Sequence, residues 1–136
     1  MWISSATLNR LMILGTGIDL AEVPRIRASV ERYGERFLSR VYTSAERAYV
    51  ERKANKVERY AARFAAKEAG MKALGTGWSR GVTWHDFEVA NLPGGRPTLR
   101  LHGVARQIAD TQRVRSIHLS LTHTAENGMA FVIFES

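Results

Sequence analysis

NKVERYAARFAAKEAGMKAL, residues 55–74, is the stretch on which the fold turns. Val57, Tyr60, Ala61, Phe64, Met71 and Leu74 recur at helical spacing, so the segment reads as one long helix with an apolar stripe. Asn55 stands at its start as a cap, Glu58 follows at capping-box spacing, and Gly75-Thr76-Gly77 stops it. At roughly 100° per residue, Glu68 falls about 40° from Phe64, inside the stripe where a leucine would be ordinary. Lys72 follows one turn later, at the stripe's edge. Burying an isolated carboxylate is expensive, so Glu68 calls for a cation or a metal. Gly70 is a second irregularity, because glycine within a helix costs about 1 kcal/mol relative to alanine.

Upstream, residues 12–18 form a short apolar run that reads as a buried strand, with Gly15-Thr16-Gly17 giving a flexible exit and Asp19 closing it. Pro24 suits a first helical turn, and 24–33 reads as a helix stopped by Gly34. A short helical piece follows to about Arg40, and Thr43 or Ser44 caps another helix running to about Lys53. Downstream of the long helix the period changes. Residues 84–90 and 97–101 read as strands joined by a Leu92-Pro93-Gly94-Gly95 turn, 103–112 as an amphipathic helix, and 116–121 and 129–134 as antiparallel strands around Glu126-Asn127-Gly128. Helices lead and strands dominate the end, so the fold class is α+β, an antiparallel sheet packed against a long helix. Residues 1–11 read as an N-terminal extension, with Met12 an alternative start, and 12–136 as one domain.

The composition narrows the function. The chain has 136 residues, 20 Lys and Arg against 13 Asp and Glu, a net charge of +7 and no cysteine. Disulfides and thiolate zinc sites are therefore excluded, and an intracellular, cytoplasmic location is the simpler reading. No stretch approaches the length of a membrane span, and no signal peptide is read at the start. The basic balance points to an anionic partner. Arg25, Arg27, Arg32, Arg36 and Arg40 crowd one segment, offset only by Glu31 and Glu35. A nucleic-acid surface would lead to an aromatic-basic-aromatic motif on a strand, and none is present. A Mg²⁺-dependent phosphohydrolase is the nearest enzymatic rival.

Asp19 and Glu68, delivered from a strand tip and a helix interior, make an oxygen-rich pair suited to Mg²⁺, which takes one or two carboxylates and fills its other positions with water and phosphate oxygens. Lys72 beside that metal would meet phosphate oxygens, and Arg63 a second phosphate; the alternative for Lys72 is an ordinary i,i+4 surface pair with Glu68. The GTGID segment lacks the spacing of either nucleotide-binding glycine loop. His123 follows the 116–121 strand by two residues, while His85, His102 and His118 have no ligand-like spacing.

Several of these segments, in one order and spacing, resemble a known family. Gly15-Thr16-Gly17-Ile18-Asp19 with Arg25 six positions on, Arg63-Phe64-Ala65-Ala66-Lys67-Glu68-Ala69, and Lys72-Ala73-Leu74-Gly75-Thr76-Gly77 are similar to the phosphopantetheinyl transferases of the holo-acyl-carrier-protein synthase type. Trp84-His85-Asp86-Phe87-Glu88-Val89, Gly95-Arg96-Pro97 and Ser120-Leu121-Thr122-His123 extend the likeness almost to the C-terminus. The resemblance implies transfer of the 4′-phosphopantetheine arm of coenzyme A to a serine of apo-acyl carrier protein, releasing adenosine 3′,5′-bisphosphate, in support of fatty acid biosynthesis. It also implies Mg²⁺ and a homotrimer with active sites between subunits, with no nucleic acid or membrane partner. By position it makes Asp19 and Glu68 the metal pair and places Lys72, Arg63, Gly75 and His123 around coenzyme A. Arg25, Arg36 and Arg40 match the surface that receives the carrier protein. Glu68, Lys72 and His123 are then the catalytic set, with the acceptor of the serine proton open between Glu68, His123 and a metal-bound water. Three features depart from the pattern: the eleven leading residues, Gly70 in place of a bulkier apolar residue, and Gly128-Met129 where aromatic or alanine-rich sequence is expected.

Overall fold

The computed structural model describes residues 12–136, so the extension expected over residues 1–11 lies outside the described part. The order of elements is β1 (Ile13–Glu22), α1 (Val23–Tyr33), α2 (Glu35–Val41), α3 (Ser44–Glu51), α4 (Lys56–Leu74), a 3₁₀ turn (Trp84–Asp86), β2 (Phe87–Asn91), β3 (Pro97–Leu101), α5 (Gly103–Thr111), β4 (Ser116–His123) and β5 (Asn127–Glu135). This is the α+β class expected. Both sheets are antiparallel: three strands in the order β1-β5-β4, and a separate β2-β3 hairpin.

The long helix α4 lies between these two layers, and that changes the reading of its faces. A single apolar stripe was expected; instead, from Tyr60 to Leu74 every residue is buried except Phe64, Glu68 and Lys72. Phe64 and Val57, expected in the core, are only half-buried, whereas Ala62, Ala65, Ala66, Ala69 and Ala73 are enclosed. The three exceptions recur at i, i+4 and i+8, so they form one narrow strip along the helix. Glu68 therefore does not sit within a greasy face. It sits in the one gap of a helix covered almost all round.

Small residues allow that coverage. A Cβ placed on Gly15 would lie 1.9 Å from the carbonyl oxygen of Ala73, and one on Gly17 would lie 1.9 Å from that of Ala69. A Cβ on Gly128 would lie 2.4 Å from the amide nitrogen of Ala62. Strand and helix thus meet backbone to backbone, which only glycine permits. On the other side of α4, a Cβ on Gly70 would come within 2.6 Å of Leu99 and 2.9 Å of Phe87. Gly70 and Gly128 therefore have a packing reason, each admitting a neighbour that a side chain would displace.

The local signals act mostly as expected. Pro24 lies in the first turn of α1, and Thr43 caps α3 through a complete capping box with Glu46. Gly75 ends α4 in the left-handed region at φ 84°, its N–H bonded to the carbonyls of Met71 and Lys72. Three expectations fail. β1 runs on to Glu22, so Asp19 is inside the strand, paired with Ala130. Residues 84–86 form a 3₁₀ turn rather than strand, because Asp86 accepts hydrogen bonds from Thr83 and closes a local turn. Asn55 occupies the cap position of α4 in the left-handed region at φ 56° and makes no side-chain cap bond. Glu58 faces His123 instead.

Gly17→Ala is expected to destabilise the protein by at least about 3 kcal/mol, since a backbone carbonyl cannot swing aside as a side chain can. A lowered urea midpoint at unchanged slope would record this, and an unshifted midpoint would mean that strand and helix can part without loss.

Candidate active site

The open strip of α4 faces a cleft of about 640 Å³ bounded by β1, α1, α2 and the 3₁₀ turn. Its charged and aromatic lining consists of the acids Asp19, Glu22 and Glu68, the cations Arg25 and Arg40, and the aromatics Phe37, Phe64, Trp78 and Trp84.

Asp19 reaches the cleft because side chains of a strand alternate. Gly15, Gly17, Asp19 and Ala21 share the inward face of β1, and the first two lie against Ala73 and Ala69. Two strand residues advance about 6.6 Å and four helical residues about 6 Å, so the next inward position meets the helix near residue 65. Asp19 is that position, and Glu68 stands beside it. The Glu68 carboxyl is held above the usual carboxylate range first by its burial and then by the charge of Asp19, with Lys72 and Arg25 opposing.

Lys72 joins this group, though not as an i,i+4 partner of Glu68. Its Nζ donates to Asp19 Oδ1 at 2.9 Å and to the carbonyl oxygen of Ile18 at 2.9 Å, bridging helix and strand. Arg25 and Arg40 line the same cleft, and Arg36 lies in the adjoining groove with Tyr33, Phe37 and Arg40. The structure thus brings together Asp19, Glu68, Lys72, Arg25 and Arg40, with Arg36 next to them.

Other expected site residues stand apart within one subunit. Arg63 lies five residues before Glu68, about 140° round the helix. Its guanidinium is buried 4.5 Å from the Tyr49 ring centroid, its Nε has no hydrogen-bond partner, and burial lowers its pKa. His123 ends β4, with Nδ1 3.5 Å from Glu58 Oε1. Glu58 precedes Glu68 by ten residues, about 15 Å along the axis. Gly75 lies just past the C-terminal end of α4, beyond Lys72.

The aromatic wall escaped the sequence reading. Phe37 stacks with Phe64 at 6.4 Å, Phe64 meets Trp84 at 4.7 Å, and Trp84 meets Trp78 edge-on at 4.2 Å. The only signal in the sequence was the tryptophan that follows Gly75-Thr76-Gly77 directly. No group of three or more His, Cys, Asp or Glu among the described residues is arranged to hold a metal ion. Two adjacent carboxylates on facing elements, with room alongside, form an all-oxygen donor set that suits a hard cation completing its shell with water and phosphate oxygens.

The chain is similar to known proteins in both sequence and fold. Residues 15–127 match the model of the 4′-phosphopantetheinyl transferase superfamily. The chain is 68% identical over 125 residues to the holo-acyl-carrier-protein synthase of Solibacter usitatus, covering 92% of this chain and 100% of that one. Among solved structures it resembles the holo-acyl-carrier-protein synthase of Neisseria meningitidis, with a TM-score of 0.84 and 29% identity over 92% of this chain and 100% of that one. It also resembles the enzyme of Bacillus anthracis in complex with CoA (3′,5′-ADP), with a TM-score of 0.75 and 35% identity over 92% and 98% of the two chains.

A raised folded-state pKa means that Glu68 adds stability below its unfolded pKa, and that this is lost as pH rises through the folded value. Glu68→Gln should therefore melt a few degrees above the parent at neutral pH, with the gap closing as pH falls through the carboxylate range. Identical melting curves at neutral pH would refute the strained pairing with Asp19.

Proposed function

Because this chain belongs to the 4′-phosphopantetheinyl transferase superfamily, we propose that the cleft between Asp19 and Glu68 is its active site. The chain transfers the 4′-phosphopantetheine group of coenzyme A to a serine of apo-acyl carrier protein, giving holo-acyl carrier protein and adenosine 3′,5′-bisphosphate. It is a transferase of the holo-acyl-carrier-protein synthase type, and its product serves fatty acid biosynthesis. The observation that carries the site assignment is the apposition of Asp19 and Glu68 across the strand and helix.

Asp19 and Glu68 would hold Mg²⁺, which when bound supplies charge neutralisation on the diphosphate of coenzyme A and a template for in-line attack. Lys72, already within reach of Asp19, turns its ammonium to the same phosphate oxygens and neutralises charge as the bond to the leaving group breaks. Within the cleft the acceptors for the serine proton are carboxylates, and burial raises the affinity of Glu68 for protons. The aromatic wall excludes water from the pantetheine side.

Arg63, Gly75 and His123 complete the proposed coenzyme A contacts. His123, which in its own subunit lies beside Glu58 rather than Glu68, serves the cleft of a neighbour, which fits a homotrimer with sites between subunits. Association is supported by the outer face of the three-stranded sheet, where Ile18, Leu20, Met129 and Phe131 are 56%, 52%, 40% and 41% exposed. Arg25, Arg36 and Arg40 form the face that receives the acidic carrier protein. Residues 12–136 constitute the transferase domain, and residues 1–11 an extension. The setting proposed is the cytoplasm; no helix among the described residues is long and apolar enough to cross a membrane.

Mass spectrometry of an apo-carrier protein incubated with coenzyme A, Mg²⁺ and this protein should show the pantetheine adduct. Asp19→Asn and Glu68→Gln should each abolish the adduct while leaving the fold intact, and near-normal turnover by both would defeat the assignment. Charge reversal at Arg25 or Arg36 should raise KM for the carrier protein several-fold and weaken its salt dependence, with kcat little changed. An unaltered KM would move the docking face elsewhere.

A further inference from the structure

The residue immediately before Glu68 is a fully buried lysine. The side chains of Lys67 and Glu46 are both 0% exposed, and their ion pair measures 2.7 Å. All three N–H donors of the Lys67 ammonium are used: one on Glu46 Oε1, one on the carbonyl of Phe87 at 2.8 Å, and one on the carbonyl of Trp84 at 3.2 Å. Glu46 is equally satisfied, since Oε1 also accepts from the Thr43 amide and Oε2 from the Val89 amide, each at 2.8 Å.

Stability alone does not call for such a network, because apolar residues of similar volume often replace a buried ion pair without loss. Geometry does. One ammonium, rooted on the helix that carries Glu68, grips the carbonyls of Trp84 and Phe87, the first residue of the 3₁₀ turn and the residue that follows it. Trp84 presents its ring to the cleft 4.7 Å from Phe64, one helical turn before Glu68. One side chain thereby ties the backbone of the aromatic wall to the helix that carries Glu68.

We propose that Lys67, seated on Glu46, is a positioning residue that holds the Trp84 wall opposite Glu68, so that the pantetheine arm of coenzyme A lies along the wall while its diphosphate lies at the acids. This rests on the function proposed above. Lys67 touches no substrate and acts through the backbone of Trp84.

The test is a double-mutant cycle between Lys67 and Trp84, with coenzyme A affinity read by calorimetry and KM by turnover. Lys67→Met alone strands the Glu46 charge, so the variant used is Lys67→Met with Glu46→Gln, alongside Trp84→Ala and the combination. The charge-free pair should weaken coenzyme A binding by up to about tenfold with a smaller change in kcat. In the Trp84→Ala background the same pair should add less than about twofold, because the wall it positions is already gone. Parental affinity in the charge-free pair at restored melting temperature, or effects that multiply across the cycle, would overturn the proposal. Binding is measured with coenzyme A alone, so a parent that binds in this non-additive pattern yet makes no adduct would count against the reaction and not against Lys67.

Discussion

The contact on which the rest depends is the backbone-to-backbone approach of β1 and β5 to the long helix. Gly15, Gly17 and Gly128 on the sheet meet Ala73, Ala69, Ala61 and Ala62 on the helix at distances that leave no room for another methyl group. Van der Waals contact over so many small atoms is individually weak and collectively large. It also fixes register. Once Gly15 and Gly17 lie against Ala73 and Ala69, the rises of strand and helix carry Asp19 to the level of residue 65, within a helical turn of Glu68. Two like charges are brought together by packing that neither of them takes part in, and the proton affinity of Glu68 is raised, first by burial and then by the charge of Asp19.

Covering a helix on nearly every side has a second effect on its charges. Arg63 and Lys67 lie on enclosed faces and are desolvated, which lowers the pKa of both. Lys67 is compensated by a carboxylate and two carbonyls, whereas Arg63 rests on an aromatic ring with one nitrogen unpaired. Glu68 and Lys72 lie in the single gap and keep contact with water. A segment of charges that looks uniform along the sequence is thus sorted into two environments by its angle round the axis.

That sorting marks the limit of what the sequence alone reveals. Helical spacing located α4, alternation and turn residues located most strands, and the wheel singled out Glu68, though for a stripe that proved to be only part of the covered surface. Asp19 stands out in the sequence as a candidate ligand, but its place in mid-strand does not, because the length of β1 depends on pairing with β5, more than a hundred residues away. The GTG segment suggested loose backbone, and its true role, absence of bulk, exists only against the alanines of another element. Lys67 was indistinguishable from its exposed neighbours until Glu46, twenty-one positions earlier, was seen beneath it. Trp84 was read as strand because local alternation cannot reveal that Asp86 caps its own turn. Arg63, expected from its place on the helix to reach a phosphate, lies buried against Tyr49, and His123 lies beside Glu58, so only the resemblance to a family connects the two with Asp19.

β1 gives the two faces of one strand to different tasks. Asp19 points inward, while Ile18 and Leu20, its immediate neighbours, point outward onto an uncovered oily surface, and the carbonyl of Ile18 also receives Lys72. The proposed chemistry and the proposed association are therefore carried by consecutive residues. A substitution at Ile18 or Leu20 acts on the same backbone that seats Asp19 and accepts from Lys72, so the outer face of the strand is mechanically coupled to the cleft.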